Sequence, residues 1–283
     1  MKLTDIGTVK ELMGENAFKK QFGQNFLISE QVPKRIAENG AAEGTLEVGP
    51  GIGTLTRELC QNAKKVVAVE IDTTLLPILD KTLADFDNVT VISGDIMKVD
   101  LAETVKEQFA DCKEIAVCAN LPYYITSPVI MKLLESGIPF KSVTVMVQKE
   151  VATRLAAPAG HETYGALTAA VSYYASVKKL FDVPAGCFMP KPKVDSAVVK
   201  LTLYEKPPVD CNPDTLFKVI KGAFAQRRKT LVNSLSTVIS HIPKSTLAEI
   251  ITVCGYPETV RGETIDIHGF AKIANAIDGY QTK

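Results

Sequence analysis

The stretch Asn120-Leu121-Pro122-Tyr123-Tyr124 closes the apolar, β-branched run Ile115-Ala116-Val117-Cys118-Ala119. Such a run reads as a buried strand, and the proline after it makes a rigid turn, because its own φ is fixed near −65° and its predecessor is kept extended. An amide side chain and backbone carbonyls held beside a flat ring suit a planar amino group. The end of a strand is also where open α/β sheets bind ligands. The competing reading is a helix-starting turn with Tyr123 packed in the core.

The corner needs a sheet to carry it, and the chain before it supplies one. Thr45-Leu46-Glu47-Val48 is a short strand running into Gly49-Pro50-Gly51-Ile52-Gly53, after which Leu55 and Leu59 read as a helix. Val66-Val67-Ala68-Val69 is a second strand, ending on Glu70. Glycines let backbone approach a ligand closely, and an acid at the tip of the next strand can take both hydroxyls of a ribose. The order of strand, glycines, helix, strand and acid therefore predicts a nucleoside site.

The glycine spacing differs from the Gly-x-Gly-x-x-Gly of dinucleotide sites, and Glu47 in front of it would repel a phosphate and favour a cation. S-adenosylmethionine carries a sulfonium and an ammonium and no phosphate, so it is the cofactor this arrangement predicts. Asp95 follows a third strand, Val89-Thr90-Val91-Ile92-Ser93, and offers a carboxylate to the exocyclic amine of the cofactor's adenine. Its alternative is a turn residue after Gly94.

Ser29 fits an N-cap for a helix that Gly40 ends, and Met1 to Asn16 reads as a mobile tail or a loose helix. Lys19 to Leu27 is too polar for a strand and reads as a loop. Val143-Thr144-Val145-Met146-Val147 is a fifth strand, followed by helices over 148–156 and 164–174. Two alternating runs, 176–183 and 196–203, form an antiparallel pair around the loop Phe188-Met189-Pro190-Lys191-Pro192-Lys193. The fold class is α/β: a Rossmann-like doubly wound, mostly parallel sheet with an antiparallel edge, plus a small all-α C-terminal domain. Residues 1–205 form the first domain, with 1–18 as its tail, and 206–283 the helical one, with helices over 214–226, 230–241, 244–254 and 267–277. Phe217, Ile220, Phe224 and Leu231 share a face, and Arg228 falls on the same stripe unless the helix bends near Gln226.

With 283 residues, 46% of them apolar, the chain can bury one sizeable core and a second, smaller one. No window approaches the ~18 apolar residues of a membrane span and the first residues lack a signal peptide's apolar core, so a cytoplasmic location is expected. The six cysteines and three histidines show no metal-ligand spacing, and no metal is expected. A formal net charge of zero gives no global argument for a polyanionic partner. Locally, however, Leu216 to Ser240 contains no acid, whereas Lys218, Lys221, Arg227, Arg228 and Lys229 are basic.

Taken together, Gln21-Phe22-Gly23-Gln24-Asn25-Phe26-Leu27, Glu47-Val48-Gly49-Pro50-Gly51, Glu70, Gly94-Asp95, Asn120-Leu121-Pro122-Tyr123, Gln148-Lys149-Glu150-Val151, the run Phe188 to Ser196 and the run Gln226 to Leu231 resemble the ribosomal RNA adenine N6,N6-dimethyltransferases of the small-subunit type, along nearly the whole chain. The resemblance implies that Asn25, Leu27, Gly49, Gly51, Glu70, Asp95 and Asn120 contact S-adenosylmethionine. It also implies that Asn120, Leu121, Tyr123 and Phe188 handle the target base, with Phe188 as a second ring opposite Tyr123. Lys191, Lys193, Arg227, Arg228 and Lys229 are the expected RNA-binding side chains. The implied partner is small-subunit ribosomal RNA in a pre-ribosomal particle, bound by a monomer. The alternatives are a large-subunit RNA adenine methyltransferase, and a ribosome-assembly factor whose catalysis is incidental.

Overall fold

The computed structural model of the chain describes residues 1–14, 23–226 and 228–281. Its contacts divide into two compact units, Met1–Ala152 with Val177–Leu203, and Thr153–Ser176 with Tyr204–Lys283. The second unit thus takes in Thr153–Ser176, from within the stretch 1–205, as well as the helices that follow residue 206.

The strands in chain order are β1 (Phe26–Leu27), β2 (Gly44–Val48), β3 (Lys65–Glu70), β4 (Val89–Ser93), β5 (Ile115–Asn120), β6 (Phe140–Gln148), β7 (Ala175–Val183), β8 (Phe188–Met189) and β9 (Ser196–Leu203). Seven of them form one sheet in the order β4-β3-β2-β5-β6-β9-β7. The pairs β4-β3, β3-β2, β2-β5 and β5-β6 are parallel, and β6-β9 is antiparallel. Central strands buried on both faces need continuous apolar runs, and Val66 to Val69 and Ala116 to Ala119 supply them, all 2% exposed or less. Chain order reverses at β2, which has β3 on one side and β5 on the other, so a crevice opens beyond the carboxyl ends of these three strands.

Packing on this sheet leaves little slack. The helix Gln31–Gly40 ends where a Cβ on Gly40 would meet the Cys118 sulfur at 2.7 Å, so a glycine lets the helix end rest on β5. Ser29 does not cap this helix; it starts after Glu30 without a side-chain cap. The first residues form the helix Ile6–Met13, capped by Asp5, whose carboxylate accepts from Thr8 N–H at 2.8 Å. Its apolar pair Val9 and Met13, one turn apart, is buried with Phe26, Ile52, Leu75 and Ile78. Phe26 and Leu27, read as loop, pair with β8 instead, Phe26 against Met189 and Leu27 against Phe188. A two-residue ladder is too short to leave a period in the sequence.

In the second unit the helices Ala166–Tyr174, Pro213–Ala225, Lys244–Val253 and Ile267–Gln281 enclose a core that includes Tyr164, Leu216, Ile220, Leu235, Phe270 and Ile273. The helix carrying Phe217 and Phe224 stops at Ala225, and the next begins at Leu231 behind Thr230 as its cap. The chain therefore breaks at Gln226, and Arg228 is exposed off the apolar stripe. The helix expected over 230–241 is only Leu231–Leu235. Ser236 and Thr237 hydroxyls donate to the carbonyls of Asn233 and Ser234 at 3.0 and 2.7 Å, offering the backbone an alternative to the helical ladder. No helix among the described residues is long and apolar enough to cross a membrane.

Candidate active site

One cavity lies beyond the carboxyl ends of β2, β3 and β5, and its wall includes Asn25, Leu27, Glu47, Gly49, Gly51, Glu70, Asn120, Leu121 and Tyr123. Its floor is the turn after β2, where Gly49, Gly51 and Gly53 have φ of 68°, 63° and 88°. Gly51 N–H donates to Glu70 Oε2 at 3.0 Å, and Asp72 N–H donates to Oε1 at 2.8 Å. The carboxylate is thereby fixed at the tip of β3, and each oxygen keeps a second lone pair for a ligand hydroxyl. Burial raises the Glu70 pKa above the ordinary carboxylate value, against the lowering effect of those N–H donors.

The turn leaves room for a side-chain carbon at one glycine and not at the other. A Cβ on Gly49 would meet nothing within 4 Å, whereas one on Gly51 would sit 3.0 Å from the Phe26 ring. Both positions need the left-handed backbone that costs a non-glycine residue about 1–2 kcal/mol. We expect Gly51→Ala to weaken cofactor binding well beyond Gly49→Ala, by calorimetric titration, because only the former also crowds the Phe26 ring on the cavity wall; equal effects would mean that backbone strain is the whole cause.

Glu47, in the middle of the buried sheet, is 1% exposed and reaches the cavity wall. Its Oε2 has no hydrogen-bond partner among the described residues, and neither has the buried Thr54 Oγ1 on the same wall. Burial pushes the Glu47 carboxyl up to about 8, against the lowering effect of the Thr56 hydroxyl, and the negative charge of Glu70 adds to the rise. A buried carboxylate oxygen without a partner is costly, and a cation in the cavity would remove the cost.

Asn120 ends β5 at the cavity rim. Its Nδ2 donates to the Asn25 carbonyl at 3.1 Å, and Asn25 Nδ2 in turn donates to the Gly23 carbonyl at 2.9 Å. The bond fixes which end of the amide faces the loop and leaves Oδ1 as an acceptor on the other side. Leu121 N–H donates to the Met146 carbonyl at 3.2 Å, so β6 holds the turn in place. The Tyr123 hydroxyl is 2.8 Å from Ser196 Oγ at the start of β9, and burial raises its pKa. The ring is half-buried and lines the cavity, not packed in the core as the competing reading had it.

Two expected site residues stand elsewhere. Phe188 is 3% exposed, packed with Leu27, Val183 and Val198 where the β1–β8 ladder draws it inward, and it is not on the cavity wall. Asp95 lies two residues past the tip of β4, after Gly94, whose N–H donates to the Glu70 carbonyl, but it is not on the cavity wall. Its Oδ1 accepts from Met97 N–H at 2.9 Å, the turn role that was the alternative. Lys191 and Lys193 are exposed between β8 and β9, and Arg228 and Lys229 are exposed between two helices of the second unit. Arg227 lies outside the described residues.

Sequence reasoning passed over three residues. Gln24 lines the cavity and its Nε2 donates to Asp72 at 2.7 Å, while Asp72, 3% exposed, also accepts from Thr74 N–H at 3.1 Å. Asp72 thus ties the Gln24 loop to the backbone that anchors Glu70. The signal for it was Asp-Thr-Thr after a strand, a helix-capping pattern. Ile71 is 44% exposed and lines the cavity beside Glu70, offering an apolar face where a nucleoside base would lie. Nothing in its spacing marks it, since β-branched residues are common at strand ends.

A mostly parallel sheet with an antiparallel edge, carrying a glycine turn, a terminal acid and an Asn-Leu-Pro-Tyr corner at its switch point, places the chain in the class of Rossmann-like methyltransferases. Two solved structures share the fold: a dimethyladenosine transferase from Plasmodium falciparum (TM-score 0.76, 27% identity, 90% of this chain and 98% of that one) and the 23S rRNA methyltransferase ErmE (TM-score 0.69, 24% identity, 90% and 100%). The family model for ribosomal RNA adenine dimethylases matches residues 15–253. The ribosomal RNA small subunit methyltransferase A of Bacillus mycoides (strain KBAB4) is 49% identical over 267 residues, covering 92% of this chain and 91% of that protein. The chain belongs to the ribosomal RNA adenine dimethylase family.

Proposed function

We propose that the protein transfers methyl groups from S-adenosylmethionine to the exocyclic N6 of two adjacent adenines in small-subunit ribosomal RNA, acting as a cytoplasmic monomer on a pre-ribosomal particle. The observation that carries this reading is the corner at Asn120, whose amide is anchored to Asn25 at the mouth of a cavity that also contains Gly49, Gly51, Glu47 and Glu70.

The residues present fit the cofactor. Glu70 would hold the ribose hydroxyls, Ile71 would cover a face of the adenine, and the orphaned Oε2 of Glu47 suits the cationic end. S-adenosylmethionine, when bound, supplies an electrophilic methyl group. Adenine N6 is a poor nucleophile because its lone pair is delocalised into the ring. Asn120 Oδ1 and the Leu121 carbonyl would accept hydrogen bonds from the NH₂ group, favouring a pyramidal nitrogen and aiming its lone pair at the methyl. No general base is assigned, since the leaving thioether is neutral and the proton can pass to water afterwards. Orientation then carries the rate, and such positioning is worth about 7–11 kcal/mol in well-aligned systems.

Unstacking the adenine costs a few kcal/mol, and a ring face such as that of Tyr123 returns about 1–3 kcal/mol. Purified small and large subunits from cells lacking the gene, incubated with the protein and methyl-labelled cofactor, test the assignment. N6,N6-dimethyladenosine should appear in small-subunit RNA; label confined to large-subunit RNA would overturn it.

Arg228 and Lys229, exposed in a stretch without acids, would contribute phosphate contacts. Replacing both with glutamine should weaken RNA binding and reduce the log–log salt slope by about 1–2, as each lost contact contributes roughly 0.7–0.9. An unchanged slope returns them to solvent.

A further inference from the structure

We propose that Tyr124 receives a second unstacked base, that of a nucleotide next to the methylated adenosine. The inference rests on the RNA-methylating reading above.

The two tyrosines of the corner diverge. Tyr123 runs toward β9, its hydroxyl 2.8 Å from Ser196, whereas Tyr124 runs toward the loop before β1. A Cβ built on Gly23 would lie 3.5 Å from the Tyr124 ring and 3.2 Å from Pro122 Cβ, so the ring lies against the Gly23 backbone. Gly23 has a φ of 60°, which favours glycine at that point and leaves the ring a flat seat. Tyr124 is nevertheless 61% exposed while lining the mouth of the cavity. A large ring held against backbone and open to solvent at the entrance of a site is a stacking platform for any base, because every base has a π-face.

The divergence decides which base. Tyr123 is tied to Ser196 of β9 and Tyr124 is seated on the Gly23 backbone, so the two rings are held apart for two different bases. The adenine aimed at Asn120 takes Tyr123. Moving that adenine into the cavity also breaks its stack with its neighbour, whose exposed face then needs a partner. Tyr124, exposed at the cavity's edge, is the ring positioned for the neighbour. The arrangement would hold the RNA strand at both sides of the reacting nucleotide.

The test uses the full-length protein and an RNA hairpin containing the methylated adenines, with 2-aminopurine replacing the base on each side of the target in turn. Wild type and Tyr124→Phe should quench the fluorescence at one of these positions. Tyr124→Ala should lose that quench and raise KM for RNA about tenfold, the equivalent of about 1.4 kcal/mol, with kcat and cofactor affinity unchanged. Quenching that survives in Tyr124→Ala overturns the inference. So does a loss of cofactor affinity equal to the loss of RNA affinity, which would show that the ring only braces the Gly23 loop. Failure of the wild-type protein to methylate any RNA would instead sink the underlying reading, and this one with it.

Discussion

Asn120→Ala should lower kcat for methyl transfer by about 10²–10³-fold while RNA and cofactor affinities change little. That is the loss seen when a single preorganised polar group is removed from a reacting centre. The side chain is half-buried at the end of a strand whose other residues make the core contacts, so its truncation leaves β5 intact. What disappears is Oδ1 as an acceptor for the amino group, together with the Nδ2 bond to the Asn25 carbonyl that orients it. Asn120→Asp separates the two contributions. It keeps an acceptor but turns a donor–acceptor pair with Asn25 into a repulsive one, and an intermediate rate is expected. If the alanine variant loses RNA binding, cofactor binding and thermal stability together, the residue is structural and the proposed chemistry at this corner is wrong.

The second large effect is a pH dependence set by Glu47. Its carboxyl is buried without a partner for Oε2 and is pushed up to about 8, so near neutral pH the folded protein without cofactor holds a proton there that the unfolded chain does not. The folded state thus binds more protons between roughly the ordinary carboxylate value and pH 8, and stability falls as pH rises through that window, flattening above it. The loss is on the order of a few kcal/mol, read as a Tm that declines from pH 5 to 8. Glu47→Gln should remove most of this slope.

Cofactor binding should show the opposite trend. A cation beside Glu47 favours the ionised carboxylate, so affinity for S-adenosylmethionine should tighten by up to about tenfold per pH unit toward pH 8. Calorimetric titrations in buffers of different ionisation heat would register the proton released. A pH-independent affinity in the wild type would show that the cationic end of the ligand lies away from Glu47.

Much of this site was legible before any coordinate. The glycine turn, Glu70 and the Asn-Leu-Pro-Tyr corner are local signals, because φ restrictions and strand periodicity act over a few residues. The same holds for the break at Gln226, foreseen because a straight helix would have put Arg228 on an apolar face. The ladder between Phe26–Leu27 and Phe188–Met189 joins segments about 160 residues apart, and two residues carry no period. Hence the packing of Phe188 against Leu27, Val183 and Val198 leaves no trace in the sequence.

What the chain determines by itself is the set of strands, the turn chemistry at their ends and the residue types that can hold a nucleoside and an amino group, since these depend on neighbours in sequence. Only the tertiary structure decides that Glu47 presents a carboxylate oxygen without a partner on the cavity wall, that Asp72 links Gln24 to the Glu70 anchor, and that Tyr123 and Tyr124 seat against different elements. Burial, hydrogen-bond satisfaction and the direction of a ring are properties of what packs around a side chain, and those neighbours come from distant parts of the chain.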